Sequence, residues 1–370
     1  MSHQYTEVEH ISWGKRITNS FVGVILGFAL FFGSFFILYW NEGRINFSQI
    51  AKQAVEISAT SSNTVPQGKL IFTTGSVTSE EVIGDNLFLK PGQYIAVKRF
   101  TEMFAWDETK TSKTKKNVGG SEEKITTYRY EKKWHNQPED SSRFKKSAGH
   151  HNPAKSISDL TNRVSQAQIG IYDLDIERID LPRFQKLQLN QQNTNLKDGV
   201  SLVGNYLFQG NGTLNNPQVG DLRLQYSIIP NNMNMTVFGK LDKNRITAYL
   251  DQGKNRFYRM FSGSREEAIS LLQHEYKTTT WLLRLLGFVM MWMGLTLFIE
   301  PIGVVLDVLP FLGNITRGIA GVSSFIIAFV MSSITILISM LLHNLVALAI
   351  AVAVAIGAGI FLRKMQQKAI

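Results

Sequence analysis

The chain contains no cysteine and only 9 prolines among its 370 residues. Without cysteine it cannot form disulfides, cysteine-based zinc sites, iron–sulfur clusters or a thiolate nucleophile. The sequence also lacks the HExxH, GxSxG, P-loop and GxGxxG motifs. Nucleophilic hydrolysis and nucleotide binding therefore have no support in the sequence. We expect a protein that is not an enzyme and that has no catalytic residues, cofactor or metal site.

Charge is nearly absent from long stretches at both ends of the chain. The N-terminal stretch has no charged residue, and the three later ones carry at most a single arginine, Arg284. Each is long enough, as a helix, to cross a hydrocarbon core of about 30 Å. The sequence therefore predicts four transmembrane helices at Ser20–Trp40, Thr279–Ile299, Ile319–Leu341 and Asn344–Leu362.

Residues 44–277 form a polar stretch that is large enough to bury a core of its own. Aromatic and β-branched residues alternate within it, which is typical of antiparallel strands. We predict a long hairpin from two of these segments, joined by a lysine-rich loop at Asp107–Glu123. The predicted strands are Leu70–Val77, Tyr94–Trp106, Lys124–Trp134, Ser201–Gln209, Asp221–Ile229, Met233–Lys240, Arg245–Leu250 and Arg256–Phe261.

Two juxtamembrane helices are predicted where the polar stretch meets the apolar ones. Ile45–Ile57 has apolar residues at helical spacing, and Ser264 with Glu267 forms a capping box that starts the second helix. The predicted fold class is thus a membrane protein of the α+β type. It has four transmembrane helices and one large extramembrane domain dominated by antiparallel sheet.

Basic residues next to the outer apolar stretches predict the orientation. Lys15 and Arg16 precede the first stretch, and Arg363, Lys364 and Lys368 follow the last. We therefore expect residues 1–19 and the tail 363–370 on the cytoplasmic side. Residues 300–318 would be an interfacial connection on that same side. The large domain would face the periplasm in a bacterium, or the lumen of the ER and nuclear envelope in a eukaryote.

Small and amphipathic residues within the apolar stretches are candidates for packing and anchoring. Rows of small residues let helix backbones approach closely in lipid, although such residues are common in all membrane helices. The candidates for helix packing are Gly23, Gly27, Ala347, Ala351, Ala355 and Gly359, and those for membrane anchoring are Trp40, Arg44, Trp281 and Arg284.

The formal net charge of +10 favours anionic partners. Membrane lipids fit this charge, whereas nucleic acid is not expected for a domain that faces away from the cytoplasm. The lysines of the predicted loop, which would otherwise only keep it soluble, are candidates for contact with an anionic surface: Lys110, Lys113, Lys115 and Lys116.

Several short motifs, taken together and in order, resemble those of the Luma family of four-span membrane proteins. The resemblance implies an ER or inner nuclear membrane location in animals, with bacterial members as well. It also implies self-association and the organisation of membrane protein complexes. The motifs are Asn41–Arg44, Glu102–Phe104 with Trp106, Trp134, Gly149-His150 with Asn152-Pro153, Val219–Arg223, Thr280-Trp281 with Leu283-Arg284, Gly287 and Met293–Leu295.

Three functions are compatible with the sequence. The favoured one is a non-enzymatic scaffold that forms a homo-oligomer and organises other membrane proteins or lipids through its large non-cytoplasmic domain. The alternative is an oligomeric channel or lipid-handling protein, with a path along the helices. An enzyme would require acidic or histidine side chains that converge in a pocket of the polar domain.

Overall fold

A computed structural model describes residues 4–61, 68–252, 254–344 and 348. These residues form two compact units. The sheet unit contains the described residues of Met1–Thr6, Phe47–Thr111 and Thr127–Gln273. The helical unit contains Glu7–Asn46, Ser112–Thr126 and the described residues of His274–Ile370.

Helices and strands are distributed unevenly along the chain, with long helices towards its ends and short strands between them. The helices are α1 Trp13–Glu42, α2 Phe47–Lys52, α3 Arg265–Leu306 and α4 Pro310–Leu342. The strands are β1 Gln4–Ile11, β2 Val55–Glu56, β3 Leu70–Thr78, β4 Tyr94–Lys116, β5 Glu122–His135, β6 Leu160–Arg163, β7 Ala167–Ile169, β8 Tyr172–Leu174, β9 Gln185–Lys186, β10 Val200–Val203, β11 Tyr206–Gln209, β12 Leu222–Pro230, β13 Met233–Asp242, β14 Arg245–Thr247, β15 Tyr249–Asp251, β16 Asn255–Phe257 and β17 Arg259–Ser262.

The first sheet has the strand order β1-β5-β4-β12-β11-β10, with β6 paired to β4 and β9 paired to β12. Strand β12 runs antiparallel to β4, so that Leu222 lies opposite Met103 and Leu224 opposite Thr101. Alternate residues of a strand point to one face. The apolar ones on the inner face of this sheet form a core with Val97, Met103, Leu207, Leu224 and Tyr226.

The second sheet closes on itself, because β13 pairs with β3 as well as with β14. Strands β3, β13, β14, β8 and β7 thus form a ring in which only β14 and β8 run parallel. Successive residues of β13 point to opposite faces. Val237 lies in the core of the ring, while Phe238 packs on the other side with Ala51 of α2 and Leu272 of α3.

The two predicted juxtamembrane helices are both present, but the first is short. Helix α2 ends at Lys52, because Val55 and Glu56 pair with β3 instead of continuing the helix. The capping box is confirmed: the Glu267 amide donates to the Ser264 hydroxyl, and the Ser264 amide donates to the Glu267 carboxylate. From there α3 continues as one helix to Leu306.

The helical unit is built on a close approach between α1 and α3. A Cβ added at Gly27 would lie 3.0 Å from the Gly294 carbonyl oxygen, and one added at Gly294 would lie 2.8 Å from the Gly27 carbonyl oxygen. Between α3 and α4, the Trp292 indole donates to the Gly321 carbonyl oxygen at 2.9 Å. Leu38, Met291 and Ala328 form the buried centre of the unit.

Helices α1, α3 and α4 are each long and apolar enough to cross a membrane, and they contain the first three predicted transmembrane segments. The α+β membrane class is therefore confirmed. The predicted fourth helix at 344–362 and the tail 363–370 extend beyond the described residues, as do the packing candidates Ala347, Ala351, Ala355 and Gly359.

Three predicted segments contain more regular secondary structure than the sequence indicated. The interfacial connection 300–318 is mostly helix, since α3 ends at Leu306 and α4 begins at Pro310. The N-terminal segment 1–19 contains strand β1, and α1 already begins at Trp13. The loop predicted at 107–123 is mostly strand, because threonines alternate with the lysines of β4 and favour the extended conformation. Only residues 117–121 connect β4 to β5.

Candidate functional site at the two ends of the helical unit

The C-terminal end of α1 carries an ion pair with α3. Arg284 donates from Nε and Nη2 to the two carboxylate oxygens of Glu42, each at 2.8 Å. The neighbouring Asn41 is fully buried, and its Nδ2 donates to the Thr280 carbonyl oxygen at 3.1 Å. A guanidinium matches a carboxylate in this two-bond geometry, so the pair fixes the rotation of α1 against α3 as well as neutralising charge.

We call Asn41, Glu42, Thr280 and Arg284 the Glu42 cluster. Other predicted membrane anchors lie near it. The guanidinium of Arg284 lies 5.1 Å from the Trp281 ring centroid, and that of Arg44 lies 5.6 Å from the Tyr276 ring centroid. Trp281 and Trp40 are more than half exposed. Arg284 was predicted to act as an anchor without a named partner. Its partner, Glu42, is distant in sequence and left no local pattern.

A second ionic cluster surrounds Asp307, in the turn between α3 and α4. The Asp307 side chain is completely buried. Arg317 donates to its two oxygens from Nη1 and Nη2, each at 2.8 Å, and Arg16 of α1 donates to it through Nη2. Lys116 of β4 approaches the same carboxylate at 3.4 Å. We call these residues the Asp307 cluster.

Two glutamates balance the cations of the Asp307 cluster. Glu300 accepts from Arg317 Nε at 2.9 Å, and Glu122 of β5 accepts from Arg16 Nε at 2.9 Å. Burial alone would raise the pKa of Asp307, but the hydrogen bonds from Arg317 and Arg16 outweigh it and lower the pKa to about 2. The carboxylate therefore stays ionised over the physiological range.

The hairpin tip, residues 112–126, is held against the helix ends by this cluster and by backbone contacts. The Gly119 amide donates to the Val308 carbonyl oxygen at 3.0 Å, and Lys116 Nζ donates to Asn314 Oδ1 at 2.9 Å. The Trp13 indole donates to the Val304 carbonyl oxygen at 2.9 Å. Sequence reasoning gave Asp307 no role. A single acid within the apolar run GVVLDVLPFLG was the one available clue, since an isolated charge there needs a partner.

The four candidate lysines fall into two pairs that lie on opposite faces of β4. Residues with even numbers lie on one face of the strand and those with odd numbers on the other. Lys110 Nζ lies 5.7 Å from the Tyr128 ring centroid, and Lys116 belongs to the Asp307 cluster. Lys113 and Lys115 are exposed and have no ion-pair partner among the described residues. The predicted group of four is therefore two partnered lysines and two free ones.

The Asp307 cluster brings together segments that the sequence assigned to different sides of the membrane. Residues 44–277, which include the hairpin tip, were assigned to one side and residues 300–318 to the other. Lys116 and Glu122 nevertheless lie in one cluster with Asp307 and Arg16. The side on which each of these segments lies stays a prediction.

Polar groups of the sheet unit are mostly engaged in holding loops. Buried Asp85 accepts from the Arg99 guanidinium at 2.8 Å, from the Tyr226 hydroxyl, and from the amides of Leu87, Phe88 and Leu89. A polar cleft of about 910 Å³ is lined by Glu81, whose carboxylate accepts from the Ser165 and Gln166 amides. The described residues contain no group of histidines and acids that could hold a metal ion.

Comparison with known proteins identifies the family. The family model for Transmembrane protein 43 matches residues 103–345. The chain belongs to the TMEM43 family. This confirms the resemblance seen in the sequence, since TMEM43 and Luma denote the same family. The Transmembrane protein 43 sequences of rat and human are each 24% identical to this chain, covering 80% of it and 78% of their own length. A Drosophila homolog is 25% identical over 74% of this chain and 75% of its own length. No solved structure matches.

Residues that resemble the TMEM43 family meet at the Glu42 cluster. Asn41 and Glu42 contact Thr280 and Arg284, and a Cβ added at Gly43 would collide with the His343 imidazole. The motif at the end of α1 and the motif within α3 are thus two halves of one contact.

Residues of the sheet unit that resemble the family are paired in the same way. Arg223 donates from Nε to the Glu102 carboxylate at 2.7 Å and lies 4.6 Å from the Trp134 ring centroid. Asn152 bonds both the amide and the carbonyl of Trp106 through its side chain. These TMEM43-type residues therefore brace the first sheet.

Proposed function

We propose that this TMEM43-family protein is a non-enzymatic membrane scaffold that associates with copies of itself and organises other membrane proteins or lipids. Its site of action is the bacterial inner membrane or, in a eukaryote, the ER and inner nuclear membrane. The sheet unit presents a rigid polar surface, and the long helices supply the contacts within the bilayer.

The pairing of charges at both ends of the helical unit carries this proposal. Glu42 is paired with Arg284, and Asp307 with Arg16 and Arg317. Ionisable groups that serve transport face a cavity or a water-filled path, whereas these groups form ion pairs with one another. Such pairs favour a fixed support over a conducting pathway.

Buried hydroxyls on the helices point to the same conclusion. Ser34 donates to the Phe31 carbonyl oxygen, Ser332 to Phe329 and Ser339 to Thr335, in each case on the same helix. Because these hydroxyls bond their own backbone, they do not form a polar row that could conduct ions or water. This observation supports the scaffold over the channel alternative.

An exposed row of apolar residues on α4 supports self-association. The first four residues recur at intervals of three to four, as in helices that pack along one face, and the fifth lies about two turns further on. In lipid such a face can contact acyl chains or a second copy, and shape complementarity decides between them. The row consists of Ile319, Val322, Ile326, Phe329 and Leu337.

The test is the copy number in native lipid. Mass photometry of the full chain, extracted with a membrane-solubilising polymer, is expected to give particles with more than one copy. The variant Val322→Ala/Ile326→Ala should reduce that number, while Val22→Ala/Ile25→Ala, an equal truncation of exposed residues on α1, should not. Single copies at every protein concentration would contradict the scaffold. Ionic current or lipid transfer in vesicles would favour the alternative.

A further inference from the structure

Apolar side chains are exposed where α3 turns into α4. The exposed fractions are 42% for Val308, 46% for Leu309 and 60% for Phe311. At the tip of the β4–β5 hairpin, Val118 is 82% exposed. The hydrogen bond from the Gly119 amide to the Val308 carbonyl oxygen places Val118 next to this turn. The four residues therefore form one apolar patch, contributed by two distant parts of the chain.

Positive charge borders this apolar patch. Lys113 and Lys115 lie on the outer face of β4, a few residues before Val118. Of the acids of the hairpin tip, Glu122 pairs with Arg16, whereas Glu123 lies 3.8 Å from His10, which is charged only when it is protonated. Lys116 is engaged with Asp307 and Asn314. Two unpaired lysines, Lys113 and Lys115, thus stand against at most one unpaired acid, so the remaining charge at the tip is positive.

We propose that the hairpin tip and the α3–α4 turn together form a contact site for an anionic lipid surface. Val118, Leu309 and Phe311 enter the acyl boundary, while Lys113 and Lys115 bind the phosphates of anionic headgroups. This surface is independent of self-association, since every residue that forms it lies in one copy.

Continuity with the apolar helices selects lipid as the partner. The patch residues extend the exposed apolar faces of α3 and α4 to the ends of these helices. The patch therefore borders the hydrocarbon that surrounds the helices. The strands of the hairpin are too polar to lie in hydrocarbon, which places the lysines at headgroup level. Apolar residues next to lysines are the combination by which peripheral segments bind anionic bilayers.

The absence of cysteine makes a direct test simple, because Val118→Cys gives a single labelling site. The full chain carrying an environment-sensitive fluorophore at this position is reconstituted into vesicles of phosphatidylcholine and phosphatidylglycerol. In separate samples of identical composition, one or the other lipid is brominated so that it quenches the label. We expect brominated phosphatidylglycerol to quench more strongly than brominated phosphatidylcholine.

The lysines are tested in the same labelled background. Each lysine replaced by glutamine should lower the preference for the anionic quencher by up to about fivefold. The variant Lys113→Gln/Lys115→Gln should therefore lose most of it. Lys69→Gln/Lys186→Gln, which removes the same charge from exposed positions outside the hairpin, should retain it. Equal quenching by both lipids, or no effect of the first variant, would overturn the proposal. A label that neither lipid quenches would instead indicate a protein partner or water.

Discussion

Glu42 at the end of α1 and Arg284 within α3 are joined by two hydrogen bonds of 2.8 Å, although 242 positions separate them in the chain. The pair closes one end of the helical unit, and the Asp307 cluster closes the other. Helix packing in lipid gains little from the hydrophobic effect. Specific contacts of this kind therefore determine which helix faces meet.

Removing one partner of the Glu42–Arg284 pair should destabilise the protein strongly. Glu42→Ala leaves a guanidinium without its counter-ion, and breaking a buried pair in this way costs about 3–5 kcal/mol. Because Arg284 is 19% exposed, we expect roughly 2–3 kcal/mol. Thermal unfolding in detergent provides the measurement.

The reversed pair, Glu42→Arg/Arg284→Glu, should recover part of the lost stability. Lys277→Gln serves as the control, since Lys277 is an exposed residue of α3, the helix that carries Arg284. If Glu42→Ala and this control unfold at the same temperature, the ion pair does not hold the helices together.

Asp307→Asn should release the hairpin tip. Arg16 and Arg317 would lose their common partner, so the cost should approach that of breaking a buried pair, about 3 kcal/mol. Arg16→Gln disrupts the same cluster, and the combined variant should therefore lose less stability than the sum of the two. Denaturant titration of the three variants measures this coupling. Strict additivity would mean that the two residues act independently.

The Asp307 cluster should also make stability depend on pH in acid. The pKa of Asp307 is about 2 in the folded protein and 3.8 as a reference value. Because folding lowers this pKa, the stabilisation is complete above about pH 4 and disappears as the pH falls through about 2. Its size is on the order of 2 kcal/mol. Between these pH values, the free energy of unfolding should fall more steeply with decreasing pH for the unmodified chain than for Asp307→Asn. Parallel curves would contradict the assignment.

Gly27 and Gly23 should respond differently to the same substitution. A Cβ at Gly27 would lie 3.0 Å from the Gly294 carbonyl oxygen, whereas one at Gly23 would have an ordinary contact of 3.6 Å. Gly27→Ala should therefore destabilise by about 1–3 kcal/mol through overpacking. Gly23→Ala should be neutral or slightly stabilising, because alanine favours the helix. Thermal unfolding distinguishes the two, and equal shifts would refute a close approach at Gly27.

Residues at the hairpin tip and the α3–α4 turn should be accessible from the same side of the membrane. Single cysteines at Thr114 and Asn314, two exposed polar positions in a chain that otherwise has no cysteine, can be treated with a membrane-impermeant maleimide in sealed vesicles. Both should react in vesicles of one orientation and be protected in the other. A cysteine at Lys277, near the Glu42 cluster, provides a comparison from the other end of the helical unit. Opposite accessibility of Thr114 and Asn314 would contradict the contact through the Asp307 cluster.

Local patterns were sufficient where one short segment contains all the information. Ser264 and Glu267 are three residues apart, so their capping box could be recognised and was confirmed. Alternation also located β3, β12 and β13 to within a few residues. The lysine-rich part of β4 was misassigned, since its strand character depends on pairing with β5 and not on its own hydropathy.

The membrane class, the α+β composition and the family could be inferred from the order of residues alone. Hydropathy is summed over contiguous residues, and family motifs are short and ordered along the chain, so neither depends on folding. The partners of Arg284 and Asp307, the division of the four lysines and the contact between Lys116 and Asp307 were decided by the tertiary structure. Such ion pairs join residues that are far apart in the chain, and a lone charge is compatible with many partners until packing brings one of them within about 3 Å.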